Sequence, residues 1–379
     1  MDQAREGGES MTRMIWLSWI LMLATTVGVH GADAGLQAGS LEWDGQSRSF
    51  QVYLPQAAVD EPQRVRPLLL VLHGGGGSGL GIRGVTKRRF EVIAEAGDIL
   101  VVYPDAIGGV WNDDRHDLAT RPDADGVDDV GFLAALADHC AATWNADADR
   151  VFVTGLSNGG MMCYRVAREL ADRVAGFAPV DACLPSQAVP YQLPRPIPML
   201  LSVGTADPLM PFDGGFVGAD TDPNNTVIAA MATADAVAAE NGLPGTISVS
   251  QLPDLVDDGT VVERVVYAGG AVGTAVRVDR VIDGGHQWPG GLEYLPESQI
   301  GLLCEDYLAC DAIWAFFHTS GRVDPPERRI RIRVERESAT VIESAPVAPY
   351  AVDDGTEAFF DQLDPTEVTV FRFTAEASS

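Results

Sequence analysis

Residues 150–171 read RVFVTGLSNGGMMCYRVARELA. An apolar run rich in β-branched residues leads into Gly155-Leu156-Ser157-Asn158-Gly159, and an amphipathic segment follows. A buried strand that turns abruptly into a helix leaves almost no room for side chains at the turn, which explains the two glycines. It does not explain a serine between them. The order strand, Gly-x-Ser-x-Gly, helix predicts that Ser157 Oγ stands in the open above a sheet edge, at the N-terminus of a helix beginning near Asn158.

Outward from that stretch the same alternation recurs. PLLLVLHG (67–74), DILVVYP (98–104), VAGFAPV (174–180) and PMLLSVG (198–204) are short apolar runs of the kind expected of strands buried on both faces. SFQVYLP (49–55) predicts an early antiparallel strand. Leu133, Leu136, Ala137, Cys140, Ala141 and Trp144 fall on one helical stripe, with Asp128 or Asp129 available as cap. Residues 248–270 read as a hairpin region with Asp258-Gly259 as a turn signal. TAVRVDRVI (274–282) reads as the last strand of the sheet, and CDAIWAFFHTSG (310–321) as a closing helix ended by Gly321. The pattern predicts an α/β fold, a mostly parallel central sheet with helices on both faces. Beyond it, VDPPERR reads as a linker, and RIRIRV and EVTVFRFT as strands of a small β-rich extension. The expected organisation is a leader at 1–34, a main domain at 35–321 and an extension at 322–379.

Composition bounds the function. With 54 acidic against 26 basic residues the net charge is −28, which disfavours nucleic acid and anionic membranes as partners. Met14 to Val29 is an uncharged apolar run preceded by Arg13 and followed by small residues, the layout of a secretory signal peptide cleaved after Gly31 or Ala34. An uncleaved anchor is its main competitor. Asp2, Glu6 and Glu9 make an odd leader start, so Met11 is the expected initiator. Export permits disulfides, and with five cysteines at least one is unpaired within the monomer; Cys304 and Cys310 are close enough in sequence to bridge. No Cys/His cluster calls for zinc. DADGVDD (123–129) has the acid density of a calcium loop without its ligand spacing, and capping is the better reading. Neither a metal nor an organic cofactor is expected. Asn224-Asn225-Thr226 forms a glycosylation sequon, and Met161-Met162 reads as packing.

The chemistry-bearing groups follow from the serine. The backbone N–H of Asn158 is placed to meet a developing oxyanion. LHGGGGSG (72–79) supplies a second donor loop after a strand, with Gly75 and Gly76 as the donors. A serine needs a base, and of six histidines His286, in VIDGGHQWPGG after the final strand, fits best. His73 belongs to the glycine loop, and His116 precedes the serine and so breaks the expected order. For the orienting acid, Asp207 ends a strand in LLSVGTADPLMPF; Asp213 and Asp220 are weaker choices, and Asp181 follows the preceding strand.

Together LLLVLHGGGGSG, ILVVYPDAIGGVWNDDR, DDVGFLAAL, RVFVTGLSNGGMMCYRVA, GTADPLMPFDGG and GGHQWPGG resemble the poly(3-hydroxybutyrate) depolymerase family, the LpqC-like and feruloyl-esterase-like group of secreted α/β-hydrolases. The similarity covers roughly residues 45 to 320 and leaves the tail outside. It implies Ser157 as nucleophile, His286 as base and Asp207 as acid, and an oxyanion hole from Asn158 and the glycine loop. By the same resemblance Trp111 and Trp288 match aromatic residues bordering the cleft, where they would contact substrate; packing in the core is the competing reading of both. The expectation is a secreted serine esterase acting through an acyl-enzyme on hydroxyalkanoate polyesters or oligomers, with feruloyl or acetyl esters of plant polysaccharide as runner-up. A peptidase on the same fold and a silent binding protein are the remaining alternatives.

Overall fold

A computed structural model describes residues 34–115, 126–219, 221–267, 269–270 and 273–320, together with the backbone of Arg331–Glu337 and Val370–Glu376. The leader, His116, Asp220, the first part of the 123–129 segment and the rest of the extension lie outside the described residues.

A ten-stranded sheet organises the main domain. Its strands are β1 (Gly35–Trp43), β2 (Gln46–Leu54), β3 (Arg66–Leu72), β4 (Leu100–Pro104), β5 (Ala146–Leu156), β6 (Val174–Val180) and β7 (Met199–Gly204). After a short pair, β8 (Gly215–Phe216) and β9 (Thr226–Val227), come β10 (Ile247–Gln251), β11 (Val261–Tyr267) and β12 (Val276–Ile282). The spatial order is β1-β2-β4-β3-β5-β6-β7-β12-β11-β10. From β4 to β12 every neighbouring pair is parallel, while β1, β2, β11 and β10 are antiparallel flanks. This is the α/β-hydrolase fold, as the sequence predicted.

Side-chain alternation puts successive residues of the parallel strands into different cores. Leu68, Leu70 and Leu72 of β3 join one buried cluster, and Leu69 and Val71 join the other. The helices are α1 (Gln56–Asp60), α2 (Gly79–Val85), α3 (Arg89–Gly97), α4 (Asp129–Trp144), α5 (Asn158–Glu169), α6 (Ala230–Glu240), α7 (Glu297–Ile300) and α8 (Ala309–Ser320). Helices α4, α5 and α6 cover the first face, and α2, α3 and α8 the second. The expected stripe on α4 holds: Leu133, Leu136, Ala137 and Cys140 are buried, with Ala141 and Trp144 packed at its margin. Asp128 caps it, accepting from Gly131 N at 2.9 Å, an interaction typically contributing about 1 kcal/mol.

Sequence reading found one early antiparallel strand where there are two. Asp44 (φ 50°) and Gly45 (φ 73°) join β1 to β2 in a two-residue turn, a conformation that suits Asp-Gly. In the 248–270 region β10 and β11 do pair, but Asp258-Gly259 lies within a longer connection. The segments 331–337 and 370–376 pair antiparallel, Val334 opposite Phe373. All five cysteines are free and buried, so Cys304 and Cys310, close in sequence, form no bridge. Among the described residues no helix is long and apolar enough to cross a membrane.

Candidate active site

Strands β5, β6, β7 and β12 are consecutive in the sheet and end on the same edge. Ser157 follows β5 with φ 55° and ψ −120°, the first corner of a type II′ turn, which strongly favours glycine. A non-glycine residue held there stores strain, and such strain concentrates at functional positions. The flanking glycines are sterically required. A Cβ on Gly155 would lie 2.6 Å from Gly159 O, and one on Gly159 would lie 2.4 Å from His73 O. The turn is therefore locked between its own helix and the end of β3.

Asn158 opens α5, so its N–H has no intrahelical acceptor. Beside it runs the glycine loop. A Cβ on Gly74 would sit 3.5 Å from Ser157 Cβ, and one on Gly75 would sit 3.8 Å from Asn158 Cβ. Of the two predicted loop donors, Gly76 is corrected by the structure. It turns at φ 72° and donates its N–H to Gly109 O at 2.8 Å, which leaves Gly75, beside Asn158, as the remaining candidate of the two. His73 holds the loop's base. Its Nε2 accepts from Ala106 N at 3.0 Å, so Nδ1 carries the hydrogen and donates to Gly74 O at 2.8 Å. Burial pushes its pKa down, keeping the ring neutral.

Asp207 follows β7, and its Oδ1 accepts from Leu209 N (2.7 Å) and Met210 N (2.8 Å). Its Oδ2 accepts from His286 Nδ1 at 2.6 Å, which leaves Nε2 of the neutral ring without a hydrogen. The two residues are 79 apart in sequence and both are buried. Burial by itself lowers the His286 pKa, but the Asp207 charge and hydrogen bond, with Asp181 behind them, outweigh it and raise the value. His286 N donates to Ile300 O at 2.5 Å, and Tyr294 Oη donates to His286 O at 2.8 Å, so its loop is braced from two directions. Ser157 is partly exposed, and its Oγ has no hydrogen-bond partner among the described residues. Asp213 lies further along the loop after β7, away from this cluster.

The expectation that Trp111 and Trp288 border the cleft is corrected. Both are fully buried. Trp111 donates Nε1–H to His73 O at 3.0 Å and packs its ring 5.1 Å from the His73 ring. Trp288 packs edge-on to Phe90 at 5.9 Å and anchors the His286 loop in the second core. They brace the two loops rather than meet a ligand.

Sequence reasoning missed the clamp around Asn158. Its Oδ1 accepts from Trp111 N (2.8 Å), and its Nδ2 donates to Trp111 O (2.9 Å) and Asp113 Oδ2 (2.6 Å). Asp113 pairs with Arg115 at 2.7 Å, and Arg115 reaches Asn225 Oδ1 at 2.5 Å. GGVWNDDR was singled out as a motif, but only the fold shows that it fastens the first turn of α5.

No family model matches the chain. Over 266 residues it is 33% identical to "Putative esterase NocK" of Nocardia uniformis subsp. tsuyamanensis, covering 69% of this chain and 76% of that protein. It is 28% identical over 168 residues to the bifunctional acetylxylan esterase/xylanase XynS20E of Neocallimastix patriciarum, covering 44% of this chain and 22% of that one. With feruloyl esterase B of Neurospora crassa it shares 30% over 146 residues, covering 38% and 47% respectively. Among solved structures, the acetyl xylan esterase from Aspergillus awamori superposes with a TM-score of 0.46 at 18% identity, covering 67% of this chain and 94% of that one. At the identity and coverage shared with NocK, this chain belongs to the same esterase family and is a carboxylic ester hydrolase.

Proposed function

We propose that the chain is a serine esterase in which Ser157 attacks the ester carbonyl, His286 takes its proton, and Asp207 orients and stabilises the resulting imidazolium. The observation that carries this reading is the strained backbone of Ser157, φ 55° and ψ −120°, at a strand-to-helix junction on the edge that also bears the His286–Asp207 pair. Attack places the carbonyl oxygen between the Asn158 and Gly75 amides, and loss of one such donor typically costs about 10²–10³-fold in rate. The alcohol leaves with the proton held by His286, and water, activated by the same imidazole, then releases the acid. The Ser157–His286 hydrogen bond closes when an ester enters, since such contacts tighten in the substrate complex.

For the substrate, two classes are supported equally. The resemblance of the motifs favours short hydroxyalkanoate oligoesters, while the names of the relatives favour acetyl or feruloyl esters of plant polysaccharide. A hydrolysis panel of hydroxybutyrate oligomers, methyl ferulate and acetylated xylan ranks them. Ser157→Ala should abolish turnover and labelling by a fluorophosphonate probe; retention of either would refute the assignment of the nucleophile. The reading also includes export by removal of the apolar leader, with 322–379 as a separate extension. N-terminal sequencing of protein recovered outside the producing cell tests the first part.

A further inference from the structure

One buried carboxyl beside this cluster has no part in the mechanism above. Asp181 sits directly after β6, the strand between those that deliver Ser157 and Asp207. It turns at φ 43°, donates its N–H to Ser202 O at 2.8 Å, and accepts from Gly204 N through Oδ1 at 3.0 Å. It is 1% exposed, and its Oδ2 is buried with no hydrogen bond. A carboxylate oxygen of Asp181, one of Asp207 and a ring nitrogen of His286 all lie within 4.8 Å of one another. A carboxyl so placed, with an oxygen to spare and an imidazole in reach, is more than a strand-end staple.

We propose that Asp181 is a second positioning carboxyl for His286, able to take over from Asp207; the proposal rests on the Ser157–His286–Asp207 reading. Two buried carboxylates this close cannot both hold a charge at little cost, so one proton stays between them. Asp207 has three hydrogen-bond donors and is the better place for the charge. Burial first, and the charge of Asp207 second, hold the Asp181 carboxyl well above the usual range, although His286 and the Gly204 and Gln287 amides pull the other way. The other titratable groups facing it are Tyr294, on the His286 loop, and Cys183, in its own turn. Both are pushed up by burial and stay neutral over the assay range. Removing the Asp207 charge removes the second cause of the Asp181 shift. Asp181 can then ionise and supply the negative partner for the imidazolium.

The test is the kcat/KM profile for p-nitrophenyl acetate, from about pH 5 to about pH 10, of wild type, Asp207→Asn, Asp181→Asn and the double variant. Where a triad has no substitute acid, loss of the carboxylate costs on the order of 10⁴-fold. Here Asp207→Asn should lose only about 10²-fold, and its acid limb should move to higher pH, because the surviving buried carboxyl must ionise first. The double variant should lose about a further 10²-fold, and the shifted limb should vanish. Equal kcat/KM for Asp207→Asn and the double variant at every pH would overturn the proposal. So would an Asp207→Asn enzyme with an unmoved acid limb, a comparison that still decides if Asp181→Asn fails to fold. Ser157→Ala, run alongside, separates the two readings. If it remains active the nucleophile assignment fails; if it is dead while the two aspartate variants coincide, only the role of Asp181 fails.

Discussion

Replacing Ser157 by glycine should stabilise the protein relative to replacing it by alanine, although both changes abolish activity. At φ 55° and ψ −120° a Cβ is tolerated only under strain. A residue in so sparsely populated a region costs about 1–3 kcal/mol. Glycine relieves that strain but loses about 0.5–1 kcal/mol through the extra freedom of its unfolded chain. The balance is about 1 kcal/mol in favour of Ser157→Gly over Ser157→Ala. In a domain of this size that corresponds to roughly 2 °C in the unfolding midpoint. Because both variants lack the hydroxyl, the comparison isolates the Cβ. Urea unfolding followed by tryptophan fluorescence measures the difference, and fluorophosphonate labelling confirms that both are silent. If Ser157→Gly proves equal to or less stable than Ser157→Ala, the turn is relaxed and the argument from strain to function loses its footing.

The His286 pKa is raised above 6.5, so the ring remains protonated, and unable to act as base, to a higher pH than free imidazole. The acid limb of kcat/KM should accordingly have its midpoint above 6.5, and a midpoint below it would contradict the Asp207–His286 pairing. Asn158→Ala deletes three buried side-chain hydrogen bonds and strands partners on Trp111 and Asp113. It should cost about 2–3 kcal/mol by chemical denaturation and lower kcat more than it changes KM; an unchanged denaturation midpoint would refute the clamp. All five thiols are buried and their pKa values pushed up by that burial. Without reductant the native protein should resist a thiol reagent, and the denatured protein should titrate five groups; a count of three would restore a bridge.

What could be read from sequence was whatever is demanded locally. Gly155, Ser157 and Gly159 are contiguous, and their spacing reflects clashes within one turn and with the end of β3. The parallel strands were legible for a similar reason, because burial on both faces makes each an unbroken apolar run. Gly76 was misread because glycine permits an amide to turn but does not say toward what, and Gly109, 33 positions on, receives it. Trp111 and Trp288 were misread because a flat apolar ring suits a cleft or a core equally, and the contacts that decide come from His73 and Phe90. Asp181 was noticed as a strand-end acid, but among 54 acidic residues position alone gives it no weight.

The order of the sheet explains why that acid stands where it does. Strands β5, β6, β7 and β12 are neighbours, and each delivers one group at its carboxyl end: Ser157, Asp181, Asp207 and His286. At a strand spacing of about 4.8 Å, the serine and the acid on β7 are roughly 10 Å apart, too far to touch. On the proposed triad an imidazole bridges them, which calls for the loop after β12 to fold back across the end of β7. It does so through Gly284 and Gly285, whose carbonyl oxygens lie 2.4 and 2.5 Å from where a Cβ on Gly204 would be. A ring brought back that far lies over the intervening strand, and the first residue beyond β6 becomes its neighbour whatever its side chain. In this chain that residue is a buried aspartate with an unshared oxygen. The same geometry that joins His286 to Asp207 therefore places Asp181 beside them.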